Sequence, residues 1–155
     1  MIMRRLVIYI DTSVIGGYFD QEFEQETKEL FEKFVAQEYD FIISDLTIRE
    51  LSGAPENVKL LFKNLKLNPN IVSITSEAIS LANQYLKEKI VGETSKDDCL
   101  HIALATTNKV DLLVSWNFKN IVNIKRIRGY NSINILNGYP SLEIRSPKDI
   151  IDYEE

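Results

Sequence analysis

Residues Leu6 to Ser13 read Leu-Val-Ile-Tyr-Ile-Asp-Thr-Ser, five apolar side chains running straight into an acid and two hydroxyls. A short run that is apolar on both of its faces belongs in the middle of a parallel sheet, covered by helices on each side. The rest of the chain must therefore supply neighbouring strands and the helices that cover them. The same stretch puts Asp11 at the carboxyl end of its strand, where open α/β sheets keep their ligand crevice. An acid there can also simply cap the next helix, so the question is whether other acids reach the same edge.

Downstream patterning supplies the missing pieces. Thr12–Phe19 is a tight glycine-containing segment that matches neither the Walker pattern nor Gly-x-Gly-x-x-Gly, which argues against a phosphate loop. Leu30, Phe31, Phe34 and Val35 recur at helical spacing and predict a helix over Phe23–Gln37. Tyr39–Ile43 reads as a second buried strand, and Ser44 or Asp45 can cap a helix carrying Leu46 to Leu51. Gly53 ends that helix, and Pro55 suits the first turn of another over Glu56–Leu65. After a turn at Asn68-Pro69-Asn70 the pattern predicts a strand over Ile71–Ile74, a helix over Ser76–Glu88, and a loop at Gly92 and Thr94. A helix over Ser95–Thr107 and a strand over Asp111–Ser115 follow. Ile121, Ile124 and Ile127 fit a helix and Ile133 and Ile135 a strand alternation; a helix through most of Ile124–Leu136 is favoured because Gly138-Tyr139-Pro140 is a helix stop, with Leu142–Ile144 as a last strand and Ser146-Pro147 opening a final helical turn. Strands alternating with helices predict a three-layer α/β/α sandwich around a mostly parallel sheet of four to five strands, one domain over residues 1–155.

Composition narrows the chemistry. One cysteine, Cys99, and one histidine, His101, cannot build a Cys/His zinc site, and they leave a Ser-His-Asp hydrolase without its motif. Any metal would be held by oxygen, which favours Mg2+ or Mn2+. A net charge of −5 argues against coating duplex DNA by bulk charge, although a local basic strip is compatible with it. No run approaches the ~20 apolar residues of a membrane span, and Asp11 interrupts the first apolar run too early for a signal peptide. The expectation is a cytoplasmic protein without a membrane partner.

Three acids fall at one edge of this map. Asp11 ends strand one, Glu50 lies in the helix after strand two, and Asp98 is in the first turn of the helix over Ser95–Thr107. Right-handed crossovers bring such helix starts to the carboxyl edge of a parallel sheet. At ~4 Å and an effective dielectric of 20, each pair of carboxylates repels by about 4 kcal/mol, and a divalent cation is the economical compensation. Each acid also has an ordinary alternative: Asp11 as a helix cap, Glu50 as a solvated helix acid, and Asp98 as the acid of a Ser95-x-x-Asp98 capping box.

Taken together the motifs resemble the PIN-domain family of metal-dependent ribonucleases. The matching stretches are Tyr9–Ser13, Ile48-Arg49-Glu50-Leu51, Asp98 to Ala105, and Leu113-Val114-Ser115-Trp116-Asn117-Phe118, in order over nearly the whole chain. The VapC-like toxins of toxin–antitoxin pairs form the branch it is most similar to. The resemblance implies that Asp11, Glu50 and Asp98 hold Mg2+ or Mn2+ and carry the hydrolysis of RNA, leaving a 5′-phosphate. Thr12, Ser13, Ser115 and Asn117 would orient ligands around them. The family often has a fourth acid where this chain has Asn117, so the site carries one negative charge fewer. The resemblance also implies a cognate antitoxin and a homodimer. Lys125, Arg126 and Arg128, with Tyr130 beside them, form a basic cluster suited to steering RNA or simply a solvated helix face. Arg49 can touch phosphate or pair with an acid. His101 reads as a packed or surface residue, Trp116 as core and Cys99 as buried packing. The alternative function is a catalytically impaired PIN-fold module that binds RNA or protein, for which Asn117 is the main support; a phosphatase or nucleotide-binding protein would lack its motifs here.

Overall fold

The computed structural model describes residues 4–89 and 96–151. In chain order it comprises β1 (Val7–Ile10), α1 (Thr12–Gly17), α2 (Glu24–Val35), β2 (Asp40–Ser44), α3 (Asp45–Leu51), α4 (Glu56–Lys59) and α5 (Leu61–Asn64). Then come β3 (Asn70–Val72), α6 (Ser76–Lys87), α7 (Lys96–Thr107), β4 (Leu112–Val114), α8 (Ile124–Leu136), β5 (Glu143–Arg145) and α9 (Pro147–Ile151). The five strands form one all-parallel sheet in the order β3-β2-β1-β4-β5.

Alternating side chains divide the interior into two cores, one on each face of the sheet. Tyr9, Ile42, Leu113 and Ile144 point into a cluster with Leu81 and Tyr85 of α6, Ile102 of α7, and Tyr130 of α8. Ile8, Ile10, Phe41, Ile43, Leu112 and Val114 point the other way, onto Val14 of α1, Leu30, Phe31 and Phe34 of α2, and Ile150 of α9. Both faces of β1 are buried, as its apolar sequence demands, and the result is the three-layer α/β/α sandwich expected.

Local chemistry sets the helix ends. The Ser44 hydroxyl accepts from Thr47 N–H and opens α3 with a capping box. Asn123 accepts from the N–H groups of Lys125 and Arg126 to start α8, and Gly138 at φ +83° follows the end of that helix. Two expectations differ in detail. Thr12–Phe19 contains a six-residue helix, α1, packed through Val14 and Ile15. The helix expected over Glu56–Leu65 is two short ones broken at Leu60, because α4 buries none of its residues whereas α5 is anchored by Leu61. The loop expected at Gly92 and Thr94 and the cap at Ser95 lie outside the described residues. Among the described residues no helix is long and apolar enough to cross a membrane.

The strand order fixes where a site can form. From β1 the chain moves outward through β2 to β3, then returns to place β4 on the opposite side of β1. That reversal is a topological switch point, and it opens a crevice at the carboxyl ends of β1 and β4. Asp11 follows β1 there, and Ser115 follows β4.

Candidate active site

Asp11 stands at the head of α1 in extended backbone, and its N–H continues the ladder to Val114 O at 3.4 Å. Its side chain makes no capping hydrogen bond. Instead Oδ1 accepts from Ser13 Oγ and Oδ2 from Ser115 Oγ, each at 2.6 Å. The two serines are themselves fixed: Ser13 Oγ accepts from Trp116 N–H and Ser115 Oγ from Asn117 N–H, both at 2.9 Å. Asp11 is only 4% exposed. Burial pushes its pKa above the ordinary carboxylate range, against the opposing hydrogen bonds of the two hydroxyls.

Asp98, in the first turn of α7, comes to the same crevice. Its Oδ2 accepts from Asn117 Nδ2 at 3.2 Å and from Asn120 Nδ2 at 3.3 Å. Asn117 Oδ1 in turn accepts from the N–H of Asn120 at 3.0 Å, so the two amides form one brace. Burial raises the pKa of Asp98, the Asn120 bond opposes that, and the charge of Asp11 raises it further. The two aspartates thus sense each other across the crevice.

Glu50, near the end of α3, is differently placed. Its Oε1 accepts from Thr12 Oγ1 at 2.6 Å and faces His101 Nε2 at 2.7 Å. Burial alone would raise its pKa, but His101, Thr12 and Arg49 outweigh it and hold the carboxyl below its ordinary value. His101 is buried, and its Nδ1 lies 2.7 Å from Tyr9 Oη, which is 2.8 Å from Ser44 Oγ. The Glu50 carboxylate is therefore tied to the first turn of α1 on one side and to α7 on the other.

Each of Thr12, Ser13, Ser115 and Asn117 touches one of the three acids. The basic residues do not join them. Arg49 is exposed and pairs with Asp97 at 3.4 Å. Lys125 and Arg128 are exposed on α8, and Arg126 is half-buried, close enough to Cys99 and Tyr130 for its charge to act on both. Sequence reading did not single out Asn120, nor the contact of His101 with Glu50. Spacing carries a trace of both: Asn117 and Asn120 are three residues apart, and Asp98 and His101 share one face of α7.

The donor set suits a hard divalent cation. Asp11 and Asp98 are held by hydroxyl and amide donors, and among the described residues neither has a lysine or arginine salt-bridge partner. Among the described residues no group of three His, Cys, Asp or Glu side chains is placed to hold a metal ion, so Asp11, Glu50 and Asp98 do not stand as a complete three-carboxylate ligand set. Mg2+ does not require one, because it retains several waters and is commonly bound through one or two carboxylates and substrate phosphate.

No family model matches the chain, and no curated protein matches it in sequence. Solved structures do. VapBC2 from Rickettsia felis, bound to a DNA fragment from its promoter, superposes with a TM-score of 0.58 at 15% identity, over 91% of this chain and 98% of that one. FitAcB from Neisseria gonorrhoeae gives 0.57 at 12% identity, over 90% and 97%. VapC20 from Mycobacterium tuberculosis, described as a sarcin-ricin loop cleaving toxin, gives 0.53 at 11% identity, over 72% and 90%. The class is thereby defined: the chain has the PIN-type α/β/α fold. Within that class the architecture is VapC-like.

Proposed function

We propose that this chain is a divalent-metal-dependent endoribonuclease and the toxin of a type II toxin–antitoxin pair. The observation that carries the reading is the meeting of Asp11 and Asp98 at the β1/β4 switch point, both with raised pKa values and neither with a cationic side-chain partner among the described residues. A buried Asp11 and a half-buried Asp98 maintained in that state cost stability, and a cation at the crevice offsets the cost.

Asp11, Glu50 and Asp98 would hold Mg2+ or Mn2+, which supplies Lewis-acid stabilisation of charge on a phosphodiester. The chain's own residues prepare the place. Ser13 and Ser115 fix the rotamer of Asp11, Asn117 and Asn120 fix Asp98, and Thr12 holds Glu50. Water adds in line to phosphorus, the P–O3′ bond breaks, and the products are a 3′-hydroxyl and a 5′-phosphate. Lys125, Arg126 and Arg128 at the start of α8 would draw the RNA backbone toward the acids, and Arg49 would contribute if phosphate displaces Asp97. A cognate antitoxin, a homodimeric state and a cytoplasmic setting belong to the same reading, and the VapBC2 and FitAcB neighbours support the antitoxin.

One observation favours a second reading, a PIN-fold module that binds RNA or protein without cutting. Asn117, where the family often has an acid, spends its amide on Asp98. The deciding experiment incubates structured and single-stranded RNA with wild type, Asp11→Asn and Asp98→Asn in Mg2+, Mn2+ or EDTA. Metal-dependent fragments ending in 5′-phosphate, reduced at least 100-fold in both variants, support the nuclease. RNA binding without metal-dependent cleavage supports the second reading.

A further inference from the structure

His101 is buried to 2% exposure yet wired at both ring nitrogens, and nothing in the reaction outlined above requires a buried imidazole. The direction of each bond follows from its neighbours. The Glu50 carboxylate can only accept, so His101 Nε2 carries a proton and donates to Oε1 at 2.7 Å. On a neutral ring, Nδ1 is then an acceptor, and Tyr9 O–H donates to it at 2.7 Å. Ser44 Oγ accepts from Thr47 N–H and stands 2.8 Å from Tyr9 Oη, where its own proton can complete the chain. The order Ser44, Tyr9, His101, Glu50 thus runs from the core face of the sheet out to the crevice. Thr12 Oγ1 holds the same Glu50 oxygen from the opposite side at 2.6 Å. Both bonds fall on Oε1, and among the described residues none is made to Oε2.

We propose that His101 is a positioning residue for Glu50, with Tyr9 behind it fixing which ring nitrogen holds the proton, so that one carboxylate oxygen is pinned and the other is presented to a divalent cation. This rests on the metal-site reading above. It assigns a task to the buried hydroxyl of Tyr9, a residue of β1 whose ring already fills the core and would do so equally well as phenylalanine. Outer partners of this kind typically change metal affinity by roughly 10–100-fold when removed.

The test uses the untagged full chain, in which His101 is the only histidine. Mn2+ binding is measured by titration calorimetry or by the electron-paramagnetic signal of free Mn2+ for wild type, Tyr9→Phe, His101→Leu and His101→Gln. Tyr85→Phe is the control: it removes another buried tyrosine hydroxyl of the same core, one bonded to Asn134 and to none of the three acids. Nitrogen-15 spectra of the sole imidazole report its tautomer in each folded chain. The expected result is a metal-free wild type in the Nε2–H tautomer. Tyr9→Phe and His101→Leu bind Mn2+ about 10–100-fold more weakly. His101→Gln, whose amide can still donate, recovers part of the loss, and Tyr85→Phe binds as wild type. Wild-type affinity in Tyr9→Phe, an Nδ1–H tautomer, or an equal loss in Tyr85→Phe overturns the proposal while leaving the metal site standing. A wild type that takes up no Mn2+ overturns both.

Discussion

Asp11 and Asp98 set up a conflict between folding and function that single substitutions expose. Both have raised pKa values in the fold, so between the ordinary carboxylate value near 4 and their raised values the native state binds protons more tightly than the unfolded chain. Their contribution to stability is present at low pH and is lost as pH rises through the folded values. Glu50 and Asp111 act in the opposite sense: His101 and Thr12 lower the first, Arg4 and the Val7 N–H the second, and their contribution is lost as pH falls through the lowered values. The metal-free protein should therefore show a maximum in its unfolding midpoint in mildly acidic solution, measured by calorimetry in EDTA. Asp11→Asn and Asp98→Asn should raise the midpoint at neutral pH while removing cleavage. A lowered midpoint in both would contradict the account of these acids as strained by burial. The positions of Asp11 and Asp98 were legible in the sequence because the first follows a strand and the second opens a helix, whereas Glu50, near the end of α3, was marked only by lying in the helix after strand two. Asn120 was not, since its role depends on a brace with Asn117 that only the folded turn creates.

At the scale of elements, the junction of α1 and the segment after β4 carries the most constraint. A methyl group added at Gly17 would lie 2.7 Å from Trp116 Nε1 and 2.9 Å from Thr27 Oγ1. Neither neighbour can retreat easily, because Trp116 Nε1 donates to Thr27 at 2.9 Å and the indole stacks on Phe23 at 4.2 Å. Gly17→Ala should cost about 1–3 kcal/mol in urea unfolding. It should also shift the emission of Trp116, the sole tryptophan. Because Trp116 N–H donates to Ser13, which holds Asp11, the same change should weaken metal binding. Most element positions were readable from apolar periodicity, and the end of α8 from the helix stop at Gly138-Tyr139-Pro140. The helix α1 was harder, since six residues with two glycines carry little periodic signal and the helix is secured by tertiary burial of Val14 and Ile15.

For the molecule as a whole, charge is distributed against its net sign. The chain is acidic, at −5, yet α8 begins with Lys125, Arg126 and Arg128. If these residues meet RNA, Lys125→Ala with Arg128→Ala should lower the slope of log affinity against log salt by about 0.7 per phosphate contact removed. An unchanged slope would assign the cluster to solvent. Adding Mg2+ should raise the wild-type unfolding midpoint with the logarithm of its concentration once above the dissociation constant, a stabilisation of roughly 2.7 kcal/mol at a hundred times that constant, and leave an Asp11→Asn, Asp98→Asn double variant unmoved. The parallel sheet and its layering followed from the alternation of strands and helices, whereas the strand order came only with the fold. The pairing of Arg49 with Asp97 did not, because a surface cation has several acids within reach and sequence does not choose among them.

The strand order also has a bearing on biosynthesis. Asp11 is made early, but its partner Ser115 and the Asn117–Asn120 brace belong to the far side of the central strand and emerge more than a hundred residues later. A nascent chain arrested anywhere before that point has no assembled crevice. For a protein proposed to cut RNA, this delay means that the acids and their braces meet only once the chain has been made through Asn120.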